Sequence, residues 1–116
     1  MRNKKPIKPT DMVYISGPMT GLPDANRAAF DAAEQYLCKT YKCRVLNPAH
    51  MPDGLNYRQY MAHALQLLAH ATVIVLLPGF EESLGVKVEL NIADRDKVPI
   101  LLLKQERLAE VPHGEQ

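Results

Sequence analysis

The sequence contains no tryptophan, only two cysteines, and no apolar stretch long enough to cross a membrane. Its longest apolar run, residues 71–77, is far shorter than the roughly 20 residues that a membrane-spanning helix needs. Cys38 and Cys43 are interpreted as reduced thiols, and no further cysteine or paired histidine offers the ligands of a structural zinc site. Because no apolar segment follows the basic residues near the N-terminus, we expect no signal peptide and a cytoplasmic protein.

Strong charge of one sign is also missing, since the formal net charge is +1. No strong field is therefore available to attract nucleic acid or an acidic membrane, and we expect neither as a partner. Arg2, Lys4, Lys5 and Lys8 fall in a polar N-terminal tail, residues 1–11, which is interpreted as a solvated chain end. A chain of 116 residues is the size of one domain. We assign that domain to residues 12–104 and a C-terminal tail to 105–116.

Short apolar runs alternate with helical patterns along this domain. Strands are predicted at 12–16, 43–46, 72–77 and 99–103, and helices at 25–38, 57–70 and 84–94, with Asp24 as the N-cap of the first helix. The C-terminal tail is expected to add a short helix or to fray. The alternation predicts an α/β, flavodoxin-like three-layer sandwich with a parallel sheet of four or five strands in the order 2-1-3-4.

In that topology, ligands bind beyond the carboxyl ends of the first and third strands. The loop after the first strand completes the segment Tyr14-Ile15-Ser16-Gly17-Pro18-Met19-Thr20-Gly21. Small residues and two glycines there let backbone N–H groups approach a phosphate or a sugar. The segment matches neither a P-loop nor the G-x-G-x-x-G dinucleotide motif, so a simple turn remains the alternative.

The segment after the third strand begins with Pro78-Gly79 and leads into the third helix. Ser83 is the predicted N-cap of that helix, and its hydroxyl with the first-turn N–H groups could hold an anionic group. Glu89 follows six residues later, between apolar neighbours, which indicates a partly enclosed carboxylate. A solvated surface glutamate is the alternative interpretation.

These segments, together with Ser83-x-Gly85 and the step to Glu89, resemble a family over residues 13–103. The sequence is similar to the small phage and bacterial proteins grouped as DUF4406, a domain of unknown function. Through them it resembles the nucleoside 2-deoxyribosyltransferases and the deoxynucleoside 5′-monophosphate N-glycosidases. The resemblance implies a 2′-deoxynucleoside or its 5′-monophosphate as the ligand, and no metal or organic cofactor.

The same resemblance implies roles for individual residues. Glu89 would attack the anomeric carbon of the deoxyribosyl group, Tyr14 would orient Glu89, and Ser83 would favour a 5′-phosphate. The resemblance also implies a homo-oligomer. Tyr57, Tyr60 and Met61 form a stripe on the second helix, which either lies in such an interface or faces the core. The sugar or phosphate site would consist of Gly17, Pro18, Met19, Thr20, Gly21, Pro78, Gly79, Ser83 and Gly85.

Two positions depart from the enzymes, which carry an aspartate on the second helix and another at its close. Here Ala64 and Thr72 stand at those positions. His63 points about 100° away around the helix and cannot simply replace the first aspartate. The long connection could supply another group from among His50, Asp53, Asn56 and Tyr57.

Three functions therefore stay open. An N-glycosidase or deoxyribosyltransferase is favoured by Glu89, and a non-catalytic nucleotide-binding module is favoured by Ala64. A purely structural interaction domain predicts no pocket and an exposed Glu89.

Overall fold

The computed structural model describes residues 6–112, which form one five-stranded sheet with strand order β2-β1-β3-β4-β5. Strands β1 to β4 pair in parallel and β5 pairs antiparallel with β4. The predicted fold class and strand order are confirmed. The elements are β1 (Met12–Ser16), α1 (Arg27–Tyr41), β2 (Arg44–Leu46), α2 (Tyr57–Leu68), β3 (Val73–Leu76), α3 (Leu84–Asp96), β4 (Ile100–Lys104) and β5 (Arg107–Val111).

The sheet separates two apolar clusters because successive strand residues point to opposite faces. Val13 and Ile15 of β1 lie in the cluster formed with α1. Tyr14 of the same strand lies in the cluster formed with α2 and α3. Every residue of β3 is buried, as expected for a central parallel strand covered on both faces. No helix among residues 6–112 is long and apolar enough to cross a membrane.

The start of α1 differs from the prediction. Asp24, Ala25 and Asn26 all have positive φ, at 47°, 54° and 63°, so the α-helix begins only at Arg27. Asp24 is therefore not the N-cap, and its carboxylate instead pairs with Arg27 at 2.8 Å. The helix also continues past the predicted end to Tyr41. A run of non-glycine residues in the left-handed region is not a pattern that helix-start signals anticipate.

The C-terminal segment 105–116 was predicted to be a tail that adds a short helix or frays, and this is wrong for residues 107–111. They form β5, joined to β4 by a tight turn in which Gln105 and Glu106 have positive φ, at 52° and 60°. Turns of this kind usually carry Asn-Gly or Asp-Gly, so Gln-Glu gave no hairpin signal.

The N-terminal tail is only partly a solvated segment. Ile7 is fully buried in the α1-side cluster, and the main-chain oxygen of Asp11 accepts a hydrogen bond from the Arg44 N–H. Arg2, Lys4 and Lys5 lie outside the described residues. The remaining predicted strands and helices agree with the structure to within two residues at each end.

Candidate active site

The central feature of the site is a carboxylate at a core position of α3. The buried residues of this helix are Val86, Glu89, Leu90 and Ala93, which is the spacing of one apolar face. Glu89 is only 3% exposed. The Tyr14 hydroxyl donates to Glu89 Oε2 at 2.5 Å, and the Ser16 hydroxyl donates to Glu89 Oε1 at 2.6 Å. Both carboxylate oxygens are therefore held by β1.

Strand geometry explains why these two hydroxyls reach one carboxylate. Tyr14 and Ser16 are two residues apart on β1, so they point to the same face of the sheet, towards α3. The sequence analysis named Tyr14 and missed Ser16. The two-residue step from Tyr14 was the signal that could have identified it.

Burial and hydrogen bonding act on Glu89 in opposite directions. Removal from water raises the pKa of Glu89 above its ordinary value, and the hydrogen bonds from Ser16 and Tyr14 oppose that rise. Burial, followed by the nearby Glu89 charge, raises the pKa of Tyr14, so its hydroxyl remains protonated and can donate. Among residues 6–112, no buried side-chain nitrogen or oxygen lacks a hydrogen-bond partner.

Glu89 lines a small cavity of about 40 Å³ at the carboxyl ends of β1 and β3. Two larger cavities share part of its wall, one of about 460 Å³ and one of about 780 Å³. Met19, Thr20 and Tyr57 line all three. The pockets and the buried carboxylate do not fit a purely structural interaction domain, which predicted neither.

The predicted binding residues divide among these cavities. Gly17, Met19, Thr20, Ser83 and Gly85 line the small cavity together with Glu89. Pro18, Pro78 and Gly79 line only the 780 Å³ cavity, whereas Gly21 lines only the 460 Å³ cavity. The structure thus brings five of the nine predicted binding residues directly around Glu89.

Gly17 and Ser83 have clear local functions. A Cβ atom on Gly17 would lie 2.9 Å from Leu77 Cβ, so a side chain there would force β1 and β3 apart where the cavity begins. Ser83 is the N-cap of α3, as predicted, because its hydroxyl oxygen accepts from the Val86 N–H at 3.2 Å. The hydroxyl proton of Ser83 is not used by this bond and can still be donated.

The two positions that depart from the enzymes lie in different parts of the fold. Ala64 is fully buried on the core face of α2, one turn after Tyr60. Thr72 precedes β3 at the opposite, amino-terminal end of the strands, where its hydroxyl donates to Asp11 at 2.8 Å. Only the change at Ala64 is therefore on the side of the protein that contains Glu89.

The groups considered as replacements are mostly engaged elsewhere. His63 is exposed. His50 contacts Asp31 at 3.0 Å, and Asn56 caps α2 by accepting from Gln59 N–H at 2.8 Å. Tyr57 is 56% exposed at the cavity mouth, whereas Met61, one turn later on the same face of α2, is buried.

Arg27 connects the two loops that form the 460 Å³ cavity, a feature the sequence analysis missed. Its guanidinium donates to Asp24 at 2.8 Å, to Asp53 at 2.6 Å and to the main-chain oxygen of Ala49 at 3.0 Å. Asp24 belongs to the loop before α1, and Ala49 and Asp53 to the connection before α2. Asp53 is accordingly held by Arg27.

Asp31, Glu34 and His50 form the group within residues 6–112 whose ligand atoms all lie within 4.8 Å of one another. The Asn47 amide donates to Asp31 at 3.1 Å and to Glu34 at 2.8 Å. These hydrogen bonds explain the cluster without a cation. None of its residues lines the three cavities around Glu89.

Fold and site together define an α/β flavodoxin-like domain with a buried carboxylate at the carboxyl ends of β1 and β3. The chain belongs to the DUF4406 family, described as a domain of unknown function, whose model matches residues 11–102. No curated protein matches the sequence.

Two solved structures share the fold at low sequence identity. A 2-deoxyribosyltransferase from the psychrotolerant bacterium Bacillus psychrosaccharolyticus has a TM-score of 0.62 and 15% identity, over 79% of this chain and 71% of that chain. A conserved protein from Enterococcus faecalis V583 has a TM-score of 0.61 and 17% identity, over 81% of this chain and 63% of that chain. The resemblance stated from the sequence is confirmed at the level of family and fold.

Replacing Glu89 by glutamine is expected to change how stability depends on pH. Because the pKa of Glu89 is raised in the folded state, the folded protein keeps a proton that the unfolded chain loses. The free energy of unfolding of the wild type should therefore fall as pH rises from about 4.5 to the folded pKa, and then level off. A tenfold change in the ionisation constant corresponds to about 1.4 kcal/mol.

Urea unfolding of wild type and Glu89→Gln between pH 4 and 8 measures this effect. The variant is expected to gain stability relative to wild type as pH rises. The exposed Glu110→Gln is the control for the change in net charge. Parallel curves for wild type and Glu89→Gln would contradict the raised pKa.

Proposed function

We propose that this protein cleaves the N-glycosidic bond of 2′-deoxynucleosides or their 5′-monophosphates, by hydrolysis or by transfer to a second base. The observation that carries the proposal is the buried Glu89 carboxylate, held by two hydroxyls at the floor of a cavity. The 2-deoxyribosyltransferase activity of a protein with the same fold supports it.

The proposed chemistry needs an ionised carboxylate held rigidly beside an electrophilic carbon. One oxygen of Glu89 forms a bond to the anomeric carbon while the bond from that carbon to the base breaks, and the electron pair leaves with the base. Water or a second base then displaces Glu89 from the sugar. Tyr14 and Ser16 each use one lone pair of a Glu89 oxygen, which leaves another for the attack.

The two hydroxyls have a second effect in this proposal. Without them, burial would favour the neutral acid, which is a poor nucleophile. Their hydrogen bonds favour the charged form at a place from which water is largely excluded. In such surroundings fixed donors interact more strongly with charge than they do in water.

The 780 Å³ cavity suits the 5′ end of the ligand. Ser83 and Gly85 line it at the N-terminus of α3, where unpaired N–H groups and the helix dipole favour an anion. Thr20 contributes a second hydroxyl from the loop after β1. A 5′-phosphate therefore fits this end better than a free 5′-hydroxyl does.

Release of free base tests the proposed turnover directly. Purified wild-type protein is expected to release free base from at least one member of a panel of deoxynucleosides and their 5′-monophosphates, measured by chromatography. Glu89→Gln should lower the rate by about 10³-fold or more, because the nucleophile is lost. Glu110→Gln, on the exposed edge strand, should retain the wild-type rate.

A 5′-phosphate on the ligand is expected to strengthen binding. Monophosphates should raise the melting temperature more than the matching nucleosides do, because tighter binding to the folded state adds more stability. Ser83→Asp should abolish that difference: aspartate keeps the N-cap of α3 but repels the phosphate. Equal thermal shifts for nucleosides and monophosphates with the wild type would count against a 5′-phosphate at Ser83.

A nucleotide-binding module without turnover is the second candidate, and the buried alanine at position 64 favours it. General-acid assistance to a leaving group contributes roughly 10²–10⁴ in rate, and Ala64 cannot give it. Thermal stabilisation by monophosphates without release of base from a folded protein would favour this candidate.

We also propose a homo-oligomer that packs through the exposed side of α3. Leu84 is 70% exposed and Val88, one turn later, is 38% exposed. Leu22 and Tyr57, at 41% and 56%, lie with Leu84 around the 780 Å³ cavity. A neighbouring subunit on this patch would cover both the apolar surface and the cavity mouth.

Light scattering tests the oligomer directly. The wild-type mass should be a multiple of 13.0 kDa, and Leu84→Lys should shift it towards the single chain. The control change Ala109→Lys, at an exposed position of β5 away from the patch, should leave the mass unaltered. A wild-type mass of one chain would rule out the proposed assembly.

A further inference from the structure

Tyr60 holds a hydroxyl whose hydrogen bonding is poorly satisfied. This half-buried residue of α2 donates to the sulfur of Met19 at 3.0 Å. A thioether is a weak acceptor, whereas a phenolic O–H is a good donor. The phenol therefore has more to gain from a stronger acceptor that enters the cavity than from its present partner.

The position of Tyr60 relative to Glu89 is specific. Both residues line the small cavity of about 40 Å³. Tyr60 also lines the 460 Å³ cavity and not the 780 Å³ cavity, whereas Ser83 lines the 780 Å³ cavity and not the 460 Å³ cavity. Tyr60 and Ser83 therefore both border the small cavity of Glu89, and each of them also belongs to a different one of the two larger cavities.

The positions of Tyr60 and Ser83 indicate how a ligand would be oriented in the site, an inference that rests on the proposed function. If the anomeric carbon lies above Glu89 and the 5′ end lies beside Ser83, the base extends into the 460 Å³ cavity. Tyr60 then faces the bond between sugar and base from the side of the base. Its hydroxyl replaces Met19 with a nitrogen or oxygen of the base as its acceptor.

The helix geometry relates Tyr60 to the position that Ala64 occupies. The two residues are four positions apart on α2, so they share a face. Both residues also belong to the cluster that packs between α2, α3 and the sheet. Tyr60 can thus bring a polar atom to this side of the site from one turn away.

We propose that the Tyr60 hydroxyl donates a hydrogen bond to the departing base and so replaces part of the assistance that Ala64 cannot give. As the carbon–nitrogen bond breaks, its electron pair moves onto the base, and the Tyr60 O–H stabilises the growing negative charge. A proton from solvent water then neutralises the base nitrogen, while the Tyr60 proton stays on its own oxygen. The bond lost at the anomeric carbon is replaced by the bond to Glu89.

The electrostatics of Tyr60 agree with a donor that keeps its proton. Burial, and then the charge on Glu89, raise the pKa of Tyr60 above its ordinary value. The hydroxyl therefore stays protonated throughout the neutral pH range. A full proton transfer from Tyr60 would leave a second negative charge near Glu89, which the same two effects oppose.

The experiment compares wild type with Tyr60→Phe on two substrates that differ by one methyl group, which changes the charge of the leaving base. These are 2′-deoxyguanosine and 7-methyl-2′-deoxyguanosine, or their 5′-monophosphates if the wild type prefers them. The methylated base already carries a positive charge and leaves as a neutral molecule, so it needs no donor. Tyr36→Phe is the matched control, because its hydroxyl donates to the main-chain oxygen of Glu106 on another side of the protein.

Tyr60→Phe is expected to lower kcat about 10- to 100-fold on the unmethylated substrate, the range for a hydrogen bond to a charged group. On the methylated substrate the loss should be no more than about threefold, and KM should change little on either. Tyr36→Phe should match the wild type on both. The melting temperature of Tyr60→Phe should stay close to that of the wild type, since the change removes only a hydrogen bond to sulfur.

Three outcomes would contradict this assignment of Tyr60. An active wild type with an equal loss on both substrates would show that the Tyr60 hydroxyl does not act on the charge of the leaving base, and no loss on either would show that it has no part in the reaction. Either result overturns the assignment of Tyr60 alone. A folded wild type that releases no base from either substrate or from the wider panel overturns the proposed function, and the assignment of Tyr60 fails with it.

Discussion

The placement of one carboxylate in an apolar layer is the constraint on which the site depends. Glu89 occupies a position of α3 that would ordinarily carry a hydrophobic side chain, between Val86 and Leu90. A buried carboxylate without donors is strongly unfavourable, so the facing strand must supply them. Tyr14 and Ser16 do so from a strand that is otherwise apolar. The two hydroxyl groups of β1 are thus explained by Glu89, which lies 75 positions after Tyr14 and 73 after Ser16 in the sequence.

The sheet topology determines where this pair meets the solvent. The chain leaves β1 towards α1 on one face, and it leaves β3 towards α3 on the other. Neighbouring parallel strands whose connections diverge in this way leave a crevice at their carboxyl ends. The missing side chain of Gly17, opposite Leu77, lets the two strands stay close there. The fold by itself therefore produces the opening above Glu89.

Much of this architecture could be predicted from the sequence, because hydrophobic periodicity reports burial directly. The four parallel strands and the three helices were visible in that way. Ser83 was predicted as an N-cap from its residue type, and Tyr14 and Glu89 were named through the resemblance to a family. Ser16 was missed because a serine after an apolar run resembles the start of a loop. The start of α1 and strand β5 were missed because both depend on left-handed backbone conformations at residues that seldom adopt them.

The three hydrogen bonds of Arg27 link the two loops that form the 460 Å³ cavity. One guanidinium links the loop before α1 to the connection before α2, so opening of either loop away from the other breaks these hydrogen bonds. Two of its partners are exposed carboxylates whose attraction salt screens, and the third is a main-chain oxygen. Increasing ionic strength therefore weakens the two carboxylate contacts first and leaves the hydrogen bond to the Ala49 oxygen as the remaining link of Arg27 between the loops. The loops at the cavity entrance therefore depend on salt more than the buried hydrogen bonds of Glu89 do.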